Sequence, residues 1–216
     1  MAHLNLKTLL IVTAIILICE IGLKAIFKDI LMLSKIESIL CIRLVEALFM
    51  LAILKYWAGF KYNKNLFYKG IKIGVKWSIY FALATLIVGV IIFFTTKIEP
   101  TLFLKSQSIL NLKSGKLYDL IIFIFAGCIV SPVAEELFFR GFLYHFLRRY
   151  GIFVAIFIST SIFGLSHISE TTPSIPIVPL IGGILFAASY EYSKSLVTPI
   201  IIHTLGNSAI FAISLL

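Results

Sequence analysis

The sequence predicts an all-α fold, a multi-pass transmembrane helical bundle of about seven spans. Three observations lead there. Apolar residues make up 60% of the 216-residue chain and charged residues only 13%, against about 45–50% and about 25% in soluble globular domains. One core of a chain this short cannot hide that excess. The apolar residues also come in blocks long enough to cross a bilayer, which takes about 20 residues as helix. Helix is the expected form because a spanning segment must satisfy its own backbone hydrogen bonds.

The first block, Leu9–Phe27, follows Lys7 and has no small-x-small cleavage site after it. It therefore reads as an uncleaved first span rather than a signal peptide. Glu20 and Lys24 stand four apart near its end, as a surface pair would. The second, Ser38–Leu54, is interrupted by Arg43 and Glu46, three apart and able to pair within a helix packing role. The third runs over Trp77–Phe94. The segment Thr95–Lys116 is polar and basic and is expected along the interface. The fourth, Tyr118–Leu147, is too long for one simple crossing, so it either kinks at Pro132 or leaves the membrane near Arg148 and Arg149. The fifth is Ile152–Leu165, the sixth Ile175–Tyr190, and the seventh Leu196–Leu215. In the sixth, Gly182 and Gly183 would allow close helix packing. Residues 1–117 hold the first helices and the interfacial loop, and 118–216 hold the remaining spans, as one integrated membrane domain.

The net charge is +9. In a soluble chain that would point to nucleic acid. Here the lysines sit in short connectors between apolar runs, a placement that fits cytoplasmic loop bias and attraction to anionic headgroups. Nucleic acid is therefore not an expected partner; the lipid bilayer is. Lys55, Lys61, Lys64, Lys69, Lys72 and Lys76 share a connector free of acids, and Arg148 and Arg149 lie two connectors later. Placing both on the cytoplasmic side puts the N-terminus inside, in the cell membrane. The opposing connectors mix lysines with Asp29, Glu37 and Glu99. Cys19, Cys41 and Cys128 lie in apolar surroundings without CxxC or His-Cys spacing, and read as small packing residues.

Polar residues inside apolar helices carry the functional signal. A charge at mid-bilayer costs roughly 2.5–3.5 kcal/mol on insertion scales, so it faces a protein interior or a wet cavity. Three clusters qualify. In Glu135-Glu136-Leu137-Phe138-Phe139-Arg140, Glu136 and Arg140 share a helical face and can pair, while Glu135 points about 100° away. One acid can then serve structure while the other faces a cavity. Phe163-Gly164-Leu165-Ser166-His167 ends the fifth span, with Phe163 and His167 on one face. His203-Thr204-Leu205-Gly206-Asn207 lies within the seventh, with His203 and Asn207 on one face. Alone, the first cluster is equally well an ion pair that orients helices, the second reads better as a solvated or hydrogen-bonded interface histidine, and the third is a weak signal that an interhelical hydrogen bond would explain. His3 reads as terminal and solvated. His145 falls roughly opposite Glu136 and reads as interfacial.

Together the clusters supply a carboxylate, two imidazoles and a carboxamide from three helices. Peptide hydrolysis needs a general base for water, which His or Glu provides. It also needs donors for the oxyanion, which Asn or His provides. The same residues could bind zinc, since two histidines and a glutamate can leave a position open. There is no HExxH spacing and the histidines lie on separate helices. No cofactor is therefore expected, with a divalent metal such as zinc left open.

The run Glu135 to Leu143 resembles the EExxxR signature of the CPBP intramembrane proteases, the CAAX protease and bacteriocin-processing (Abi) family. Phe163 to His167 is similar to that family's FxxxH motif, and His203 to Asn207 to its HxxxN motif. The likeness covers roughly residues 118–216. It implies a glutamate-dependent CAAX-type endopeptidase acting on a membrane-anchored protein or peptide. Glu135 with His167 would activate water, His203 and Asn207 would stabilise the oxyanion, and Glu136 and Arg140 would hold the site. The alternative within the same resemblance is bacteriocin self-immunity or peptide binding without catalysis. A proton or substrate pathway would also use buried acids and histidines, but the halves of the chain show no repeat of the kind transporters use.

Overall fold

The computed structural model describes residues 5–56, 61–97, 117–168 and 175–214. His3, most of the Thr95–Lys116 segment and Leu215 lie outside them. Every element among the described residues is helical, in seven helices: α1 (Leu6–Ala25, extended by a π turn Ile26–Ile30), α2 (Lys35–Tyr56), α3 (Lys64–Thr96), α4 (Leu117–Tyr150), α5 (Ile152–Leu165), α6 (Ile177–Ser193) and α7 (Val197–Ser214). They form an all-α membrane bundle. Three are long and apolar enough to cross a membrane: Leu6–Ala25, Lys64–Thr96 and Leu117–Tyr150.

Local chemistry explains the helix ends. The Asn5 and Asn63 side chains accept from Thr8 N–H and Leu66 N–H at 2.7 and 3.0 Å, capping α1 and α3. Before α2, Ser34 and Glu37 form a reciprocal capping box. Hydrogen bonds from the Ser34 backbone and side chain, then from the Tyr118 hydroxyl, hold the Glu37 carboxyl below its ordinary value. Gly151 joins α4 to α5 at φ 114°, a backbone only glycine adopts readily.

The helix α3 begins thirteen residues before the expected third span. Its 33 residues amount to about 50 Å, against about 30 Å of hydrocarbon. The surplus is the lysine-rich stretch before Trp77. The Trp77 ring lies 5.6 Å from that of Tyr192 near the end of α6. One residue earlier, Glu191 takes two hydrogen bonds of 3.0 Å from Arg148 and one of 2.9 Å from the Tyr144 hydroxyl. The lysine connector and Arg148 thus share one end of the bundle.

Small residues set the packing. Gly70 and Gly74 of α3 lie against the start of α7, where an added Cβ at Gly74 would come within 2.9 Å of Ile201 Cβ. The Thr198 hydroxyl donates to the Gly70 carbonyl at 3.2 Å. Gly183 meets Thr160 and Phe163 of α5, as its expected packing role requires. Gly182 does not share that role and meets only Phe186 of its own helix. Cys128 is buried and Cys41 half-buried, but Cys19 is exposed on α1. Proline 132 does not break α4. The chain passes it as helix with π segments on either side, Ile124–Val130 and Leu137–Tyr144.

This packing yields a check. Gly74→Leu forces α3 off α7 and lowers the melting temperature in detergent, at a cost of about 1–3 kcal/mol. Gly22→Leu, where nothing lies within 4 Å of the added Cβ, leaves it unchanged. Equal melting of the two variants contradicts the α3–α7 contact.

Candidate functional site

The helix α4 presents its two adjacent acids to different neighbours. Glu136 is fully buried, and its Oε1 accepts from Arg140 Nη1 at 2.9 Å, the four-residue pairing read from the sequence. The same oxygen lies 3.0 Å from His203 Nδ1 of α7. Arg140 is fully buried too. Its Nη2 donates to the Gly183 carbonyl of α6 at 2.9 Å. Its guanidinium carbon stands 4.9, 5.3 and 5.7 Å from the ring centroids of Phe163, Phe186 and Phe139. The guanidinium is thus ringed by aromatic faces and paired to one carboxylate, while its Nε and Glu136 Oε2 make no protein hydrogen bond.

Glu135 turns the other way, toward α5 and α7. Its buried Oε2 makes no protein hydrogen bond. It lies 4.0 Å from His167 Nε2 and 3.8 Å from His203 Nε2. His167 sits just past the C-terminus of α5. Its Nδ1 lies 2.8 Å from the Phe163 carbonyl. A carbonyl only accepts, so Nδ1 donates, and in the neutral ring Nε2 carries the lone pair. The Glu136 carboxylate orients His203 the same way, and the Phe186 ring stacks on it at 4.4 Å. With both rings neutral, three lone-pair atoms converge, an arrangement that repels itself without a shared proton or a bridging water.

Ligands about 2.0–2.1 Å from a tetrahedral zinc stand about 3.3–3.4 Å apart, and 3.8 and 4.0 Å are wider. Among the described residues no group of three His, Cys, Asp or Glu side chains has metal-holding form.

The structure therefore brings Glu135, Glu136, Arg140, His167 and His203 together. Asn207, one turn beyond His203, is half-buried and donates its amide to the Gly127 carbonyl of α4 at 3.0 Å. His145 is half-buried on α4, outside this group of contacts. Some residues of the site were not among the expected site residues. Phe186 and Gly183 supply a stacking face and a carbonyl. Arg43, bonded to Glu46 at 2.6 Å, lies on α2, which packs against Ser131–Glu136. A basic residue inside an apolar span was the available clue.

Arg140→Met leaves Glu136 buried without its cation, and breaking such a pair costs about 3–5 kcal/mol. Detergent-purified protein should show a correspondingly lower melting temperature. Arg140→Lys should restore little of it, because an ammonium lacks the planar fork that reaches both Glu136 and Gly183. Wild-type melting of Arg140→Met would show that the pair does not hold the bundle.

Comparison with known proteins adds one match. A protein-family model described as Rce1-like, type II CAAX prenyl endopeptidase, matches residues 117–209. No curated protein and no solved structure matches the chain. The matched stretch, a little under half of the chain, runs from the start of α4 into α7 and contains every residue of the cluster; over it the chain is similar to that family.

Proposed function

We propose that this chain is a multi-pass intramembrane endopeptidase that hydrolyses a peptide bond of a membrane-anchored protein or peptide. The supporting observation is the convergence of Glu135 Oε2 with the Nε2 atoms of His167 and His203 at 4.0 and 3.8 Å. A water about 2.8 Å from each of two such atoms bridges them comfortably. Glu135, with His167, takes the proton of that water as its oxygen forms a bond to the substrate carbonyl carbon. The carbonyl π electrons move onto oxygen. When His203 carries both ring protons, Nδ1–H stays on Glu136 and Nε2–H meets the developing oxyanion. Asn207 keeps one amide hydrogen on Gly127 and offers the other to the same oxyanion. Collapse breaks the carbon–nitrogen bond, and the proton held by Glu135 passes to the leaving amine. Glu136 and Arg140 do not touch the reacting atoms; they hold His203.

The expected topology keeps the N-terminus cytoplasmic. It is supported by the lysine-rich start of α3 and Arg148 sharing one end of the bundle.

The test uses the full chain reconstituted in liposomes with a farnesylated CAAX-box peptide. Wild type should cleave it, and Glu135→Gln should lose about 10²–10⁴-fold in rate, the usual worth of a general base, while melting like wild type. His167→Ala should fall comparably. Undiminished cleavage by a folded Glu135→Gln variant overturns the assignment.

A further inference from the structure

Upstream of Pro132 the backbone ladder of α4 is π-type, and the Ser131 N–H reaches back five residues to the Ala126 carbonyl. The next rung in this ladder would run from residue 132 to the Gly127 carbonyl. Proline has no N–H, so the helix cannot make that rung itself. The Gly127 carbonyl instead accepts from Asn207 Nδ2 at 3.0 Å, across 80 residues of chain. An unmade backbone hydrogen bond is costly inside a packed membrane bundle, where no solvent replaces it.

We infer that Asn207 is a positioning residue whose carboxamide supplies the backbone donor that Pro132 lacks, and so sets the register between α4 and α7. Two polar rungs define that register. Glu136 meets His203, and nine residues earlier Gly127 meets Asn207. As α7 advances from 203 to 207, its partners on α4 step back from 136 to 127, so the helices run antiparallel. A slide of α7 along α4 must break both rungs at once. With both made, His203 Nε2 is held 3.8 Å from Glu135 Oε2.

The residue types fit the task. A carboxamide donates to a carbonyl without bringing a charge. An aspartate would set acceptor against acceptor, and an alanine would leave the carbonyl unpaired. The bond engages one amide hydrogen, so this role coexists with the oxyanion contact proposed above. Only the cleavage readout rests on that reading; the stability readout does not.

The experiment is a double-mutant cycle on the full chain in liposomes, combining Asn207→Ala with Pro132→Ala, which returns an N–H to the helix. Pro132→Ser supplies the same N–H if the alanine variant does not accumulate. Melting temperature and cleavage of the farnesylated CAAX-box peptide are read for each. Asn207→Ala should lower melting by several degrees and cleavage by about tenfold or more, as small misplacements of reacting groups do. In the Pro132→Ala background the same change should cost much less in melting, with cleavage partly restored. Asn207→Asp should show neither benefit. Equal melting losses in both backgrounds overturn the inference. So does unchanged melting of Asn207→Ala with cleavage abolished in both, which would make Asn207 solely a substrate contact. Coupled melting without any wild-type cleavage of the peptide keeps the positioning role and removes the support for hydrolysis.

Discussion

The buried guanidinium of Arg140 is the constraint around which the second half of the chain is arranged. A charge this deep persists only if a counter-charge and hydrogen-bond partners meet it. Glu136 neutralises it, the Gly183 carbonyl takes a second hydrogen bond, and Phe139, Phe163 and Phe186 offer their ring faces. Those partners come from α4, α5 and α6, so satisfying one side chain fixes three helices. The fourth, α7, joins through His203 on the same Glu136 oxygen. The geometry around Glu135 follows, because both histidines that face it are oriented by groups belonging to this cluster or touching it.

Irregular backbone lets a single helix do this. Along α4, π segments flank the Ser131–Glu136 turn that carries both acids. Widened turns shift the faces a helix presents and free individual carbonyls, and they are common at functional sites. The glycines have a related effect at the periphery. Gly70 and Gly74 bring α3 onto α7, and Gly183 brings α6 onto α5. Between lipid-facing helices, where burial from water does not drive association, close contact and hydrogen bonds have to supply the attraction.

Much of this was legible in the sequence. The apolar blocks locate the helices because a bilayer demands a minimum apolar length. The pairing of Glu136 with Arg140, like that of Arg43 with Glu46, follows from spacing alone, since helical periodicity puts such residues on one face. The separate directions of Glu135 and Glu136 follow from the angle between adjacent helical residues. Other features were not legible. The start of α3 is not apolar, so hydropathy places the helix thirteen residues late. Gly182 and Gly183 are identical in composition and neighbourhood, yet only one faces another helix. The sequence leaves open a kink at Pro132 or an exit near Arg148 and Arg149, because it does not show that a distant amide can meet the carbonyl a proline leaves without its donor.

By itself, the sequence determined that this is an all-helical membrane chain with acids, histidines and an asparagine placed where lipid cannot solvate them. Those properties depend on local periodicity and on the cost of charge in hydrocarbon, both of which act within single segments. Only the tertiary structure decided who meets whom: that Oε2 of Glu135 faces two imidazole nitrogens, that Asn207 reaches Gly127, and that α2 packs against the turn carrying both acids. Such meetings depend on helix register and rotation, which are set by side-chain packing between segments far apart in the chain.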